Sequence, residues 1–156
     1  SRCRDGESVS QGFRIRGATL KDKPAWETLW AGYLTFYKSE LPHAVTETTW
    51  SRFHDPVEPM QCLVAEDDDG ALLGFTNIVF HRGTWAIGDF CYLEDLFVAP
   101  TARNRGVARA LIDAVYALAD QRGAERVYWL THETNTTARA LYDKVARNRG
   151  FIQYQR

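Results

Sequence analysis

The stretch from Leu93 to Arg109, LEDLFVAPTARNRGVAR, constrains the fold of this chain more than any other part of the sequence. Its first part is rich in bulky and β-branched residues and ends at Pro100, which cannot donate to a sheet, so it predicts a strand. From Gly106 onward apolar residues recur at spacings of three and four, which predicts a helix. A strand, a short loop and a helix in this order predict an anion-binding site. The first turn of a helix carries N–H groups without intrahelical partners and a partial positive charge.

The loop between the two elements has a composition that suits a phosphate. Gly106 lets the backbone approach a ligand closely, and Ala108 keeps the next turn narrow. Arg103, Arg105 and Arg109 add positive charge that matches a phosphate. The sequence contains neither G-x-G-x-x-G nor the Gly-Lys-Ser/Thr of a Walker loop, so neither standard nucleotide motif explains the site.

Composition limits the functions that such a chain can have. The 156 residues suit one compact domain, and 45% hydrophobic with 25% charged residues is an ordinary globular composition. A net charge of −1 does not indicate a nucleic-acid or membrane partner. Cys3, Cys62 and Cys91 cannot all pair and form no C-x-x-C, which favours a reducing compartment such as the cytoplasm. No apolar run approaches the ~20 residues that span a bilayer.

The rest of the chain alternates between predicted strands and helices. We expect a mobile polar segment over residues 1–12, without a signal peptide, and a single domain over residues 13–156. Three aspartates at 67–69 predict a solvated turn, because the EF-hand spacing is missing, and we expect no metal. The order β-α-α-β-β-β-α-β-α-β predicts a mixed α/β fold. The predicted strands are 13–18, 61–65, 71–80, 85–98, 125–131 and 151–154, and the helices are 24–39, 46–53, 106–121 and 135–145.

Aromatic residues are concentrated in the first predicted helix. Trp26, Trp30, Tyr33 and Tyr37 lie there at helical spacing. Such a stripe faces either the protein core or a substrate cleft, and the spacing alone does not choose between them.

Two motifs in this pattern resemble the GNAT acyltransferases. R-x-x-G-x-A, after a strand that ends L-F-V-x-P, resembles the acetyl-CoA loop of that family, and NTTARALYDK resembles its N-x-x-A-x-x-L-Y-x-K segment. The two motifs stand in the family's order with a strand-sized segment between them, which is more specific than either alone. The resemblance covers roughly residues 13–154. It implies a GNAT-like mixed central sheet with helices on both faces, and acetyl-CoA as the cofactor.

The resemblance also implies which residues bind the cofactor. In the family, a central strand splays from its neighbour and its backbone binds the pantetheine arm, while the loop binds the pyrophosphate. Asn135 would bind the pantetheine, and Tyr142 would protonate the departing thiolate; the two are seven residues apart and share a helix face. A core tyrosine is the alternative for Tyr142. The expected cofactor-binding residues are Leu96, Phe97, Val98, Arg103, Asn104, Arg105, Gly106, Val107, Ala108, Arg109, Asn135 and Tyr142.

Glu94 and Asp95 form an acidic pair within an otherwise apolar strand. Two carboxylates are costly to bury there, which suggests that they meet a cation. Because adjacent strand residues point to opposite faces, we expect at most one of them to face a given cleft. The run from Tyr92 to Val98 is similar to the Y-L-E-D-x-F-V of the diamine and thialysine acetyltransferases, which implies that the pair binds an ammonium or passes its proton to water. An ion pair with a neighbouring arginine is the alternative.

These patterns together predict an acetyl-CoA-dependent N-acetyltransferase. We expect direct transfer, in a ternary complex, to a primary amine of a small cationic substrate: a polyamine, an amino acid or a lysine-like amine. The expected catalytic residues are Tyr142, Glu94 and Asp95. The alternatives are a protein lysine or N-terminal acetyltransferase and a non-catalytic acyl-CoA-binding module. GNAT proteins usually end with two strands, of which only 151–154 is predicted here, and the resulting exposed edge predicts a homodimer.

Overall fold

The computed structural model describes residues 12–156, which form a five-stranded sheet with four α-helices. The predicted mobile segment 1–12 lies outside the described residues except for Gly12. The strands follow the order β1-β2-β3-β4-β5, antiparallel except for the parallel β4–β5 pair. This arrangement confirms the predicted mixed α/β fold. The elements are β1 (Phe13–Gly17), α1 (Lys23–Phe36), α2 (His43–Phe53), β2 (Met60–Asp67), β3 (Leu72–His81), β4 (Phe90–Val98), α3 (Val107–Gln121), β5 (Arg126–Tyr128) and α4 (Thr136–Val145), with 3-10 turns at Leu20–Asp22 and Pro100–Ala102.

Helices cover both faces of the sheet, as predicted. On one face, the apolar stripe of α3, which includes Leu111, Ile112 and Val115, packs against β3 and β4. On the other face, α1 and α2 bring together Trp26, Trp30 and Trp50 over Phe75 and Phe97 of the sheet. Burial of these large side chains contributes about 1.5–3 kcal/mol each. The two clusters hold β4 between them, which fixes the strand that carries the acidic pair.

The strand predicted over 85–98 begins later, at Phe90. The last residue pair that joins β3 to β4 is His81↔Phe90, so residues 82–89 form the connection between them. Trp85 and Ile87 in this connection are 89% and 96% exposed. Their β-propensity had favoured a strand, but no ladder partner is present for them. The strand predicted over 125–131 is also shorter. It ends at Tyr128, because the last residue pair that joins β4 to β5 is Tyr92↔Tyr128.

The predicted closing strand at 151–154 is wrong. Within the described residues, the chain after α4 forms no helix or strand, and Phe151, Ile152 and Tyr154 are exposed. Gly150 adopts a φ of +80°, and its N–H donates to the side-chain oxygen of Asn148. This turn directly precedes residues 151–154. Because these residues form no ladder with β5, their backbone groups have no partner strand. The observed element order therefore ends with α4.

No helix among residues 12–156 has the length and apolar character needed to cross a membrane.

Candidate active site

A gap opens between β4 and β5. The two strands pair only through Phe90↔Arg126, Cys91↔Val127 and Tyr92↔Tyr128, whereas β4 remains paired with β3 as far as Val98. Within the described residues, no strand therefore pairs with the β5-facing side of β4 beyond Tyr92. Backbone N–H and C=O groups that lack a ladder partner must bind something else. The predicted pantetheine-binding residues Leu96, Phe97 and Val98 lie on this part of β4.

A β-bulge lies at the start of the gap. Asn77 of β3 pairs with Asp95, and the next residue, Ile78, pairs with Leu93, so Glu94 is the extra residue of β4. A bulge bends its strand and increases the local twist, which fits the divergence of β4 from β5. It also changes the direction of the acidic pair, because strict alternation would send Glu94 and Asp95 to opposite faces of the sheet. Instead Glu94 lines the cleft together with Tyr33 of α1, and Asp95 lies behind it against Asn77.

The two acidic residues differ in how deeply they lie. Glu94 is solvent accessible and lines the cleft, whereas Asp95 lies deeper and accepts a hydrogen bond of 3.0 Å from the Asn77 side-chain amide. Among the described residues, neither carboxylate has a lysine, arginine or histidine nitrogen within 4.0 Å. The alternative of an arginine ion pair is therefore wrong for this part of the chain.

The gap widens into a cleft of about 270 Å³, small enough to suit a small ligand. Aromatic side chains dominate its walls. In the aromatic stripe of the first helix, Trp26 and Trp30 lie in the core, whereas Tyr33 and Tyr37 line the cleft. The core interpretation therefore holds for the two tryptophans and the cleft interpretation for the two tyrosines. The lining residues are Tyr33, Tyr37, Tyr92, Leu93, Glu94, Leu96, Trp129, Leu130, Thr131, His132, Tyr142 and Gln153.

The loop after β4 leads into the N-terminus of α3. Gly106 occupies the N-cap position with a φ of +78°, and the first helical hydrogen bond runs from the N–H of Ala110 to the carbonyl of Gly106. The N–H groups of residues 107–109 precede that bond and have no acceptor within the helix. Asn104 is also left-handed, with a φ of +62°, so the loop turns tightly.

The three arginines of this loop and helix turn are exposed. Among residues 12–156, no carboxylate oxygen lies within 4.0 Å of the nitrogens of Arg103, Arg105 or Arg109. Their charge is therefore not neutralised by a neighbouring acid in the described part of the chain. Together with the helix N-terminus, they form a surface that suits a diphosphate.

Asn135 and Tyr142 have different positions on α4. Asn135 is the N-cap residue, and its side-chain oxygen accepts from the N–H of Ala138 at 3.4 Å. This capping role follows from an Asn directly before a helix, and the sequence reasoning had missed it. The amide nitrogen of Asn135 is not used by that bond. Tyr142 lines the cleft, and its ring meets Trp129 edge-on, with 5.4 Å between the ring centroids.

The profile of the Acetyltransferase (GNAT) family matches residues 24–146, which is most of the chain and includes both motifs. The chain belongs to the GNAT family of acetyltransferases. Two relatives cover nearly all of it. The D-amino-acid N-acetyltransferase HPA3 of Saccharomyces cerevisiae is 39% identical over 149 residues, which are 95% of this chain and 92% of the relative. The uncharacterized N-acetyltransferase YhfO of Bacillus subtilis is 30% identical and covers 91% of this chain and 95% of its own length.

A shorter match joins this GNAT chain to the thialysine N-epsilon-acetyltransferase of Caenorhabditis elegans, at 35% identity over 46% of this chain and 44% of the relative. Among solved structures, a probable acetyltransferase superposes with a TM-score of 0.80 at 24% identity and covers 91% of this chain and 95% of its own. AAC(6')-Iy in complex with a CoA bisubstrate analog also gives 0.80, at 20% identity, over 92% of this chain and 97% of that one. At these identities, the structural similarities show a shared fold.

In this GNAT cleft, the pKa values of both carboxylates and of the phenol of Tyr142 are raised. Burial raises the pKa of Glu94, and the neighbouring Asp95 charge raises it further. Burial also raises the pKa of Asp95, while hydrogen bonds from Tyr33 and Asn77 oppose that rise. Burial, followed by the proximity of Tyr37, raises the pKa of Tyr142, so this phenol carries its proton at neutral pH. The cleft therefore holds a protonated phenol and two carboxylates whose pKa values are raised.

The sequence reasoning had missed the polar residues beneath the acidic pair. Thr76 and Asn77 are 0% and 3% exposed in the middle of β3. A Thr-Asn pair inside the apolar run GFTNIVF was the available signal, because buried polar side chains need partners. Only the register of β3 against β4 identifies that partner as Asp95.

Proposed function

We propose that this GNAT protein transfers an acetyl group from acetyl-CoA to a primary amine of a small cationic substrate, namely a polyamine, an amino acid or a lysine-like amine. The observation that carries the proposal is the bulge in β4. It places Glu94 in the wall of an aromatic cleft and Asp95 directly behind it, beside the stretch of β4 that has no partner strand. An acidic, aromatic and narrow cleft suits a small ammonium compound.

The described residues fit acetyl-CoA. The N–H groups of residues 107–109, with the three arginines Arg103, Arg105 and Arg109, would hold the pyrophosphate. The other contacts of that loop would come from Asn104 and the Gly106 backbone. Bound acetyl-CoA supplies the acetyl thioester.

The pantetheine arm would lie along β4. The backbone groups of residues 96–98 would bind it from one side. From α4, the amide nitrogen of Asn135 would bind it, because the oxygen of that side chain is used by the helix cap. The seven-residue spacing would then place Tyr142 near the sulfur.

The amine must lose a proton before it can attack. An alkyl ammonium has a pKa near ~10.4, so about one molecule in ~10³ is neutral at pH 7, which costs about 4.6 kcal/mol. Glu94 lines the cleft and has a raised pKa, so it would accept that proton or pass it to water. Tyr142 would donate its proton to the departing thiolate, whose conjugate thiol has a pKa of ~8.5.

The names of the relatives support a small amine as the substrate. The names of two of them specify a D-amino acid and thialysine as substrates. Both are small amines, which agrees with a cleft of about 270 Å³.

A screen of acetyl-CoA consumption against a panel of amines tests the proposal. The panel contains spermidine, lysine, D-amino acids, an aminoglycoside and a lysine-containing peptide. We expect turnover with one or more of the small cations. Turnover of the peptide alone would support a protein acetyltransferase. Binding of coenzyme A without turnover of any amine would support a non-catalytic module.

We also propose a cytoplasmic homodimer. The open edge of β5 supports the dimer, because an unpaired edge is commonly covered by another chain. Cys62 and Cys91 are buried free thiols, which agrees with a reducing compartment. Sedimentation at micromolar concentration should give the mass of two chains, and a monomer would contradict the dimer.

A further inference from the structure

Buried polar groups surround Asp95 on the β3 side. The side-chain amide of Asn77, its cross-strand partner, donates to the carboxylate at 3.0 Å. The hydroxyl of Thr76 donates to the backbone carbonyl of Asp95 at 2.8 Å. Among the described residues, three polar side chains are classed as buried: Asp22, Thr76 and Asn77. Two of these three contact Asp95, so the polar interior of the domain is concentrated at the bulge.

Packing alone does not explain the amide of Asn77. Its neighbours along the strand include the fully buried Phe75 and Ile78. Within residues 12–156, its side-chain oxygen is buried without a hydrogen-bond partner. Leaving such an acceptor unsatisfied costs about 1–3 kcal/mol. An apolar residue would avoid that cost, so the benefit of Asn77 lies in the hydrogen bond that it donates to Asp95.

Tyr33 of α1 approaches Asp95 from the opposite side. Its phenol lies close enough to the carboxylate to oppose the rise that burial causes in the pKa of Asp95. The ring of Tyr33 stacks on Trp30, with 5.4 Å between centroids, and meets Phe75 and Phe97 edge-on at 5.9 and 6.1 Å. The ring also contacts Tyr37, with 5.0 Å between centroids, so four aromatic contacts hold the ring of Tyr33 in place. Asp95 is fixed between a helix and a strand, whereas Glu94 faces the cleft.

We propose that Asn77, Thr76 and Tyr33 are positioning residues of the amine site: they hold the carboxylate of Asp95 in a fixed orientation behind Glu94. The substrate ammonium then meets two carboxylates with different roles. Asp95 supplies its negative charge at a fixed place, because Asn77 donates to its carboxylate and Thr76 donates to its backbone carbonyl. Glu94 exchanges the proton, because it is the one that the cleft exposes. This inference rests on the proposed function and adds a division of labour within the acidic pair.

The charges around Asp95 agree with this division. The pKa of Asp95 is raised, because the effect of burial exceeds the lowering by Tyr33 and Asn77, so these two donors restore only part of the preference for the charged form. The charge of Asp95 in turn contributes to the raised pKa of Glu94. The titratable groups that interact with Asp95 are Tyr33 from α1 and Tyr37 directly after it, Cys62 from β2, and Tyr92 and Glu94 from its own strand.

Two variants test the inference, each of which removes one donor. Tyr33→Phe keeps the ring and its aromatic contacts, and Asn77→Leu keeps the approximate volume. The two substrates are an alkyl primary amine, which arrives as an ammonium, and an arylamine, which is neutral at pH 7. Both variants should lower kcat/KM about tenfold for the alkylamine, mainly through KM, and much less for the arylamine. Tyr154→Phe, which removes an exposed phenol hydroxyl outside the cleft lining, is the control and should behave as wild type.

The pH profile supplies a readout that loss of packing would not give. Without a donor, the pKa of Asp95 rises, so its charge is lost at a higher pH. The acid limb of kcat/KM for the alkylamine should therefore move to higher pH in both variants. If Asn77→Leu does not fold by circular dichroism, Tyr33→Phe decides the question alone.

The outcomes separate this inference from the proposed function. An unchanged alkylamine-to-arylamine ratio together with an unshifted acid limb in Tyr33→Phe would overturn the positioning role, even if the enzyme is active. A wild-type protein that acetylates no amine would instead overturn the proposed function.

Discussion

Two glycines at the ends of α3 allow a sharp test of the phosphate cradle. Gly106 precedes the helix with a φ of +78°, and Gly123 follows it with a φ of +68°. A Cβ added at either position meets no heavy atom within 4 Å. Valine at either site therefore causes backbone strain without a clash. The left-handed conformation costs about 1–2 kcal/mol, which lowers Tm by about 2–8 °C in a chain of this size.

The two valine variants should differ in their affinity for coenzyme A. Gly106 adjoins the N–H groups of residues 107–109, and a side chain there occupies the space through which a phosphate would approach. Loss of two hydrogen bonds to a charged group amounts to about 3 kcal/mol, so Gly106→Val should weaken Kd about 100-fold. Gly123→Val lies at the other end of the helix and should bind as wild type.

Isothermal titration with coenzyme A measures both affinities, and thermal unfolding by circular dichroism measures the shared loss of stability. If both variants lose a similar amount of stability and bind coenzyme A equally well, the cradle is not the phosphate site. If they bind equally poorly, the effect is a general one on the fold, and the argument from the helix N-terminus also fails.

Three further predictions concern the acid, the acidic pair and stability. Tyr142→Phe should lower kcat about 10²-fold or more while the Kd for coenzyme A changes little, because a proton donor acts in the transition state; equal losses would indicate packing. Replacing Glu94 and Asp95 with amides should raise KM about tenfold for an alkylamine and less for an arylamine, and equal effects would make the pair structural. The hydrogen bonds of Arg16, at 2.7 and 2.8 Å, lower the pKa of Asp22 from 3.8 to about 2. This pair therefore stabilises the fold above about pH 4 and loses its effect as the pH falls to about 2. Asp22→Asn should lower the free energy of unfolding by about 2 kcal/mol at pH 7 but not at pH 2, as measured by urea denaturation.

Much of the fold, including the loop between β4 and α3, could be predicted because the signals are local. Pro100 ends a strand and Gly106 begins a helix through restrictions on their own backbone. The apolar stripe of α3 is set by residues one turn apart. Each of these features depends on neighbours in sequence, and the structure contains all of them.

The bulge could not be predicted in this way, because it depends on two strands. Nothing in the run from Tyr92 to Val98 distinguishes a regular strand from a bulged one. The extra residue is identified only by the pairing of Asn77 with Asp95 and of Ile78 with Leu93. The errors at the ends of strands have the same origin: Trp85 and Phe151 have high β-propensity, but a strand also requires a partner with free backbone groups.

The bulge in β4 also lies where acetyl-CoA and the amine substrate would meet. Divergence from β5 leaves the backbone of β4 available to an extended ligand, and the inserted Glu94 lines the cleft next to that stretch. Both features lie close to the extra residue, so the acyl group and the amine would converge on the same bend. The donors beneath the bend are buried in β3, and Tyr33 is fixed by its aromatic neighbours. The acidic wall is therefore supported from both sides before any ligand arrives, which reduces the reorganisation needed when the amine binds.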